Sequence, residues 1–260
     1  MKITFLGTGT SQGVPVIGCH CKVCTSDDVR DKRLRSSVLI SADQYNILID
    51  AGPDFRQQML KNHVDQLDAI LLTHEHNDHI IGMDDIRPYN FRQRYDMPIY
   101  GLKRVLDDVK GKFTYVFNDA PYPGTPRMLL NKVEANVTFS LFDKINIIPL
   151  NIMHGNLPIL GFRIDNFAYI TDASYIDGKT LDLLQNLEIL VLNSLQYRKH
   201  YSHFTFEEAV TMAQKLNAKS TYFTHMSHEM GIHVDILKKC PLNIFPAFDG
   251  MIVEESSGFY

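Results

Sequence analysis

The 260-residue sequence predicts an α/β fold, and two observations carry that expectation. Short apolar runs recur along the chain, and several end directly at a His, Asp or Asn, as buried strands do when they deliver polar side chains at their ends. Segments with helical patterning separate many of these runs, with strand-to-strand stretches in the middle. No internal repeat, low-complexity tract or Ser/Gly linker divides the chain, so one domain over 1–260 is expected. A two-sheet sandwich flanked by helices suits the strand count, although composition alone does not select it.

Residues 3–6, 38–40 and 47–49 read as the first strands. Between the first two lies a loop, 7–35, rich in Gly, Cys and charge. A structureless loop of that length needs something to fix it. After Asp50-Ala51-Gly52 a helix is expected over 53–61, with Pro53 at its start. A strand over 69–72 runs into Thr73-His74-Glu75-His76-Asn77-Asp78-His79. Strands over 145–152, 167–170, 187–192 and 221–223 end near His154, at Asp172, at Asn193-Ser194 and at His225. Helices are expected over 102–110, 178–185, 205–216 and 231–239. Pro and Gly gather over 121–126, which reads as a surface loop.

The 26 Lys and Arg against 30 Asp and Glu leave a formal charge of −4. This balance argues against a nucleic-acid partner gripped over a broad face, while a local basic patch stays open. No run of 18 apolar residues occurs, so no membrane span is expected. The N-terminal Met1-Lys2-Ile3-Thr4-Phe5-Leu6-Gly7 lacks the regions of a signal peptide, and a cytoplasmic location is expected. Cys19, Cys21 and Cys24 lie too close together for an ordinary disulfide framework, and in a reducing compartment such a cluster points to metal. Cys240 stands apart and is expected simply to pack.

His74, His76, Asp78 and His79 put four potential ligands into six residues. Imidazole nitrogen and carboxylate oxygen suit zinc, manganese and iron. A tight loop at a strand end can point i and i+2 one way and i+4 and i+5 another, which serves two ions. This His-x-His-x-Asp-His run resembles the hallmark of the metallo-β-lactamase superfamily, and the resemblance extends over nearly the whole chain. It implies an αββα four-layer sandwich of two mixed β-sheets flanked by helices. It also implies that His74, His76 and His154 hold one metal, that Asp78, His79 and His225 hold a second, and that Asp172 bridges them. Asp50 and Asp249 match supporting positions around that set. The implied cofactors are two divalent ions, Mn²⁺ or Zn²⁺, with a hydroxide between them as nucleophile and Asp78 among the catalytic groups.

The three thiolates want a fourth ligand. His20 is adjacent but wrongly directed if both flanking cysteines bind, and His228, three residues after His225, is the better candidate. The pattern is similar to that of the PhnP-type cyclic phosphodiesterases. The matching residues are Gly7-Thr8-Gly9, Gly13-Val14-Pro15, the three cysteines, His228 and Phe248-Asp249-Gly250-Met251. The resemblance implies one structural Zn²⁺ on Cys19, Cys21, Cys24 and His228, held by an 11–35 loop after the first strand.

Metal ligands alone do not choose a substrate. Tyr201-Ser202-His203-Phe204-Thr205-Phe206-Glu207-Glu208 resembles a segment of the phosphodiesterase branches, ribonuclease Z included. That likeness implies a phosphate-contacting or leaving-group-protonating role for His203, although Thr205 as a plain helix cap accounts for part of the same pattern. The expected activity is hydrolysis of a small or cyclic phosphodiester. Alternatives are transfer-RNA 3′ processing, against which stands the lack of a Gly/Pro-rich arm, and a biosynthetic role related to the pyrroloquinoline quinone pathway. Arg87 is close enough in sequence to face a phosphate, and the aromatic, basic stretch 87–112 is a candidate for the substrate mouth. Dimers are common among the families resembled, which leaves a homodimer open.

Overall fold

The computed structural model describes residues 1–119 and 122–255. The first half contains β1 (Lys2–Gly7), β2 (Ser37–Ala42), β3 (Tyr45–Ile49), α1 (Phe55–Lys61), β4 (Ala69–Leu71), α2 (Asn77–Ile80), α3 (Arg87–Gln93), β5 (Met97–Gly101), α4 (Lys103–Lys112) and β6 (Met128–Lys132). The second half contains β7 (Phe139–Leu141), β8 (Ile145–His154), β9 (Leu157–Ile164), β10 (Phe167–Ile170), β11 (Tyr175–Ile176), α5 (Gly178–Asp182) and β12 (Ile189–Asn193). It continues with α6 (Phe206–Leu216), β13 (Ser220–Thr224), α7 (His233–Lys239), β14 (Ile244–Pro246) and β15 (Ile252–Glu254).

Two mixed sheets form. One has the order β15-β1-β2-β3-β4-β5-β6, and the other β11-β8-β9-β10-β12-β13-β14 with β7 beside β8. Each is antiparallel on one side and parallel on the other: β3 to β6 run parallel, as do β10, β12, β13 and β14. Because side chains alternate across a strand, one strand can face two cores. Val38 and Ile40 of β2, Ile47 and Ile49 of β3, and Ala69 and Leu71 of β4 point into a core between the sheets. Phe167 and Tyr169 of β10 and Ile189 and Val191 of β12 meet them there. The intervening Leu39, Leu48 and Ile70 pack outward with Phe55 of α1, Tyr89 of α3 and Val105 of α4. On the far side, Ala168, Ile170, Leu190 and Leu192 pack with Phe206, Ala209 and Ala213 of α6 and Ile236 of α7. The result is helix, sheet, sheet, helix: the four-layer metallo-β-lactamase arrangement. Cys240 packs at the edge of that last core, as expected.

Three features differ from the sequence reading. The helix expected over 178–185 stops at Asp182, although its start is capped by the Asp177 carboxylate, which accepts from Thr180 N. Strands β5, β9 and β14 each carry a proline (Pro98, Pro158, Pro246) and do not read as strands. The stretch 77–93 is largely helical. The loop expected at 121–126 begins at Pro121, outside the described residues; 122–126 form no helix or strand. Among the described residues no helix is long and apolar enough to cross a membrane.

Candidate metal centre and catalytic pocket

The site gathers at the carboxyl ends of strands, where backbone leaves the sheet and side chains converge. Asp50 follows β3, the His74–His79 loop follows β4, His154 ends β8, Asp172 follows β10, and His225 follows β13. Asp50, Asp172 and His225 adopt left-handed backbone conformations, with φ of 63°, 57° and 55°. For a non-glycine residue that is costly, and such strain collects where a side chain must be aimed. Gly52 lets the metal loop close on β3: a Cβ there would lie 2.0 Å from the Asp78 carbonyl oxygen. The contact is sealed by Ala51 N donating to His79 O at 2.7 Å and Gly82 N donating to Ala51 O at 2.9 Å.

Four imidazoles each have one ring nitrogen held by the protein. His154 Nδ1 donates to the carbonyls of Asp172 and Ser202, both at 2.9 Å. His79 Nδ1 donates to Asp50 Oδ2 at 2.7 Å. Thr73 Oγ1 donates to Asp50 Oδ2 at 2.8 Å, so it can accept from His74 Nδ1 at 3.0 Å. Ser36 Oγ donates to Gly9 O, and can accept from His225 Nδ1 at 3.3 Å. The opposite nitrogens face a shared centre, where each can present a lone pair once a metal displaces any proton. His74 Nε2 lies 3.0 Å from His76 Nδ1. His79 Nε2 lies 3.2 Å from Asp78 Oδ2 and 3.4 Å from Asp172 Oδ2, yet is buried without a hydrogen bond. His225 Nε2 lies 3.2 Å from Asp172 Oδ1.

This donor set fits divalent ions. Ligand atoms of His74, His76 and His154 lie within 4.8 Å of one another, and so do those of His74, His79 and Asp172. The electrostatics agree. Burial works against charge on His79, but the carboxylates of Asp78, Asp172 and Asp50 outweigh it and hold its pKa well above the ordinary value. Burial likewise opposes ionisation of Asp172, and the surrounding imidazoles, His225 foremost, hold it well below the usual carboxylate range. The Asp172 carboxylate is thus favoured in its charged form at the centre of the cluster, where a cation would complement it.

The Cys loop brings its residues together as the spacing suggested. Cys19, Cys21 and Cys24 Sγ lie 3.3, 3.4 and 3.5 Å from His228 Nδ1. A tetrahedral zinc site with ordinary bond lengths has S···N edges of about 3.6 Å. Backbone donation from Cys24 lowers the Cys21 thiol to about 6, whereas burial raises Cys24 to about 11. Asp249 does not touch the seven candidate active-site ligands among the described contacts. It accepts from Thr8 Oγ1 at 2.7 Å and Leu34 N at 2.6 Å, and so fastens both ends of the loop.

A pocket of about 320 Å³ opens over the cluster. Its lining includes Thr10 and Ser11 of the N-terminal loop and the run His200, Tyr201, Ser202 and His203. His203 lies just before α6, whose Thr205 and Glu208 form a reciprocal capping box. Its Nδ1 is 3.8 Å from Asp172 Oδ1. Thr10, Ser36 and His200 were not singled out from the sequence, since a lone hydroxyl or histidine on a loop carries no spacing signal. Arg87 does not face the pocket; it pairs with Asp84. The stretch 87–112 supplies none of the pocket lining either. Arg104 Nε reaches Glu75 Oε1 at 2.9 Å and Lys112 Nζ reaches Glu75 O at 2.7 Å, so it braces the metal loop from outside.

Comparison with known proteins agrees with this architecture. A family model described as a beta-lactamase superfamily domain matches residues 45–226. The crystal structure of a diphosphatase from the PhnP family superposes with a TM-score of 0.91 and 38% identity, covering 98% of each chain. A Porphyromonas gingivalis protein named octanoyltransferase is 42% identical over 98% of this chain, and a coenzyme PQQ synthesis protein B from Methylobacterium radiotolerans is 32% identical over 42% of it. The chain spans 52% and 40% of the lengths of those two relatives. Human short-form tRNase Z, at 20% identity and a TM-score of 0.71, shares the fold. With the matched family domain covering most of its length, the chain belongs to the metallo-β-lactamase superfamily, and it is similar over nearly all of its length to a PhnP-family diphosphatase.

Proposed function

We propose that this metallo-hydrolase is a phosphodiesterase with two divalent ions, acting on a small or cyclic phosphodiester or on a diphosphate. His74, His76 and His154 would hold one ion and Asp78, His79 and His225 the other, with the Asp172 carboxylate shared. Cys19, Cys21, Cys24 and His228 would hold a structural Zn²⁺. Ions bound in such a pair act as Lewis acids, lower the pKa of water and offset charge developing on a phosphoryl group.

The observation that carries the reading is the placement of His203. Its ring is buried in the pocket wall, 4.7 Å from the His154 ring and 5.0 Å from the His225 ring, and its Nδ1 makes no hydrogen bond. Burial lowers its pKa to about 3. The ring is therefore neutral near pH 7 and serves as an N–H donor to a phosphoryl oxygen rather than as a resting imidazolium. The likeness to a PhnP-family diphosphatase supports reaction at a phosphoryl group.

The Porphyromonas gingivalis relative favours one second reading, hydrolysis of an acyl ester or thioester. Because this chain matches only 52% of that protein, the transferase named there has other residues available to perform it. The test is hydrolysis of bis(p-nitrophenyl) phosphate by protein loaded with Mn²⁺ or Zn²⁺, beside p-nitrophenyl octanoate and a His203→Ala variant. Diester cleavage that falls by about 10²-fold or more in the variant is expected. Turnover of the octanoate ester alone would move the assignment to acyl chemistry.

A further inference from the structure

The outer rim of the pocket is aromatic, and no metal or phosphate chemistry explains it. Tyr201 lines the pocket and is 83% exposed. One edge of this exposed ring lies beside the Gly155 backbone. Gly155, directly after His154, has φ of +59°, and a Cβ there would lie 3.1 Å from Tyr201 Cε2 and 3.3 Å from Cδ2. One edge of the ring is thus seated against a residue whose position is set by a candidate metal ligand. Its neighbour His200 lies with ring centres 5.3 Å away at 30°, and the His200 ring is in turn 5.0 Å from that of His203. His200 Nδ1 is near Ser202 N at 3.4 Å and Ser202 Oγ at 3.3 Å. A file of aromatic rings leads from solvent to the buried end of the pocket.

The loop that bears these rings is pinned at its base. Leu195 N donates to Phe204 O at 3.0 Å and Phe204 N donates to Ala173 O at 2.7 Å. Its two cations are turned elsewhere: Arg198 pairs with Glu229, and Lys199 pairs with Glu208. Neither lines the pocket. The rim therefore offers flat apolar faces and little free charge. Rings in that setting bind planar groups by stacking.

We infer that Tyr201, with His200 behind it, is a specificity platform that stacks a planar ring carried on the non-reacting arm of the substrate, so that esters bearing a nucleobase or a comparable heterocycle are preferred over those with an aliphatic arm. The inference rests on the phosphoester reading for the group that enters the metal cluster, and on the rim geometry for the group that remains outside.

Binding of thymidine 5′-monophosphate and of methyl phosphate to the Mn²⁺-loaded protein, measured by calorimetry, tests it without requiring turnover. The two probes share the phosphoryl group and differ in the deoxyribose and the planar base, and Tyr201→Ala separates the contribution of the base. The wild-type protein is expected to bind the thymidine ester about tenfold or more tightly than methyl phosphate. Tyr201→Ala is expected to remove most of that ratio, and Tyr201→Phe to keep it. The ratio should also persist when salt is raised, because stacking replaces ion pairing at the rim. Equal affinity for both probes in the wild type, or a ratio unchanged in Tyr201→Ala, overturns the platform while leaving the phosphoester reading standing. Binding of neither probe overturns both.

Discussion

Each residue around the candidate metal cluster has a division of labour between its two polar atoms. Asp50 illustrates it. Its Oδ1 accepts from Thr73 N at 2.9 Å, and its Oδ2 accepts from both Thr73 Oγ1 and His79 Nδ1. Burial raises the Asp50 pKa, and His79 and Thr73 act against that rise. All three contacts require an acceptor. In Asp50→Asn one oxygen becomes an amide donor facing N–H or O–H groups, which orphans them and loosens the His74 and His79 rings. The expected outcome is a 10- to 100-fold (order-of-magnitude) weaker hold on divalent metal, read by chelator competition. An unchanged metal affinity would remove Asp50 from the supporting role. At this scale the sequence was informative where residue type is rare and chemically loaded. The histidines and aspartates stood out because four potential ligands crowd into six positions. Thr73, Ser36 and the Ser202 carbonyl did not, since hydroxyls and backbone groups acquire a role only when distant segments meet.

Among the elements, the loop between β1 and β2 depends most on something other than its own packing. Its small core holds Val14, Val23 and Cys24, with Val16, Cys19 and Ile232 against them. It is joined to the catalytic side by pairing: Thr10 N donates to Met226 O at 3.2 Å and Met226 N donates to Thr8 O at 2.9 Å. Thr10 and Ser11, which line the pocket, therefore lie between the Cys cluster and His225. Cys24→Ser is expected to lower zinc content by about one ion per chain and to reduce stability by about 2 kcal/mol or more, a fall in Tm of about 5 °C. Metal analysis with a thermal melt checks both, and full zinc content in the variant would refute a Cys-held ion. The long loop was legible as needing an anchor because its cysteines are spaced for one. Elements without such markers were not. Strands β5, β9 and β14 contain prolines that read as breakers, and only their neighbours in the sheet supply the pairing that makes them strands.

Across the whole molecule, the candidate ligands divide between the two sheets. His74, His76, Asp78 and His79 come from the β1–β6 sheet, and His154, Asp172 and His225 from the facing one. The sheets already share an apolar core between them, so each bound ion adds a cross-link at one end of an existing contact. An ion that binds only the folded chain stabilises it by RT ln(1 + [L]/Kd), about 2.7 kcal/mol at a hundredfold excess over Kd. Removing the ions by chelation should lower the melting temperature while leaving a single transition, because the shared core still unfolds as a unit. Hydrogen exchange locates the effect. Protection should fall together at Thr73–His79 and at Thr171–Ala173, the two strand ends whose side chains meet at the cluster, and change little in the middle of β2 and β12. Loss confined to one sheet would mean that the ligands of the other do not share the ion. Two separate melting steps after chelation would mean that the halves fold independently and that metal alone couples them.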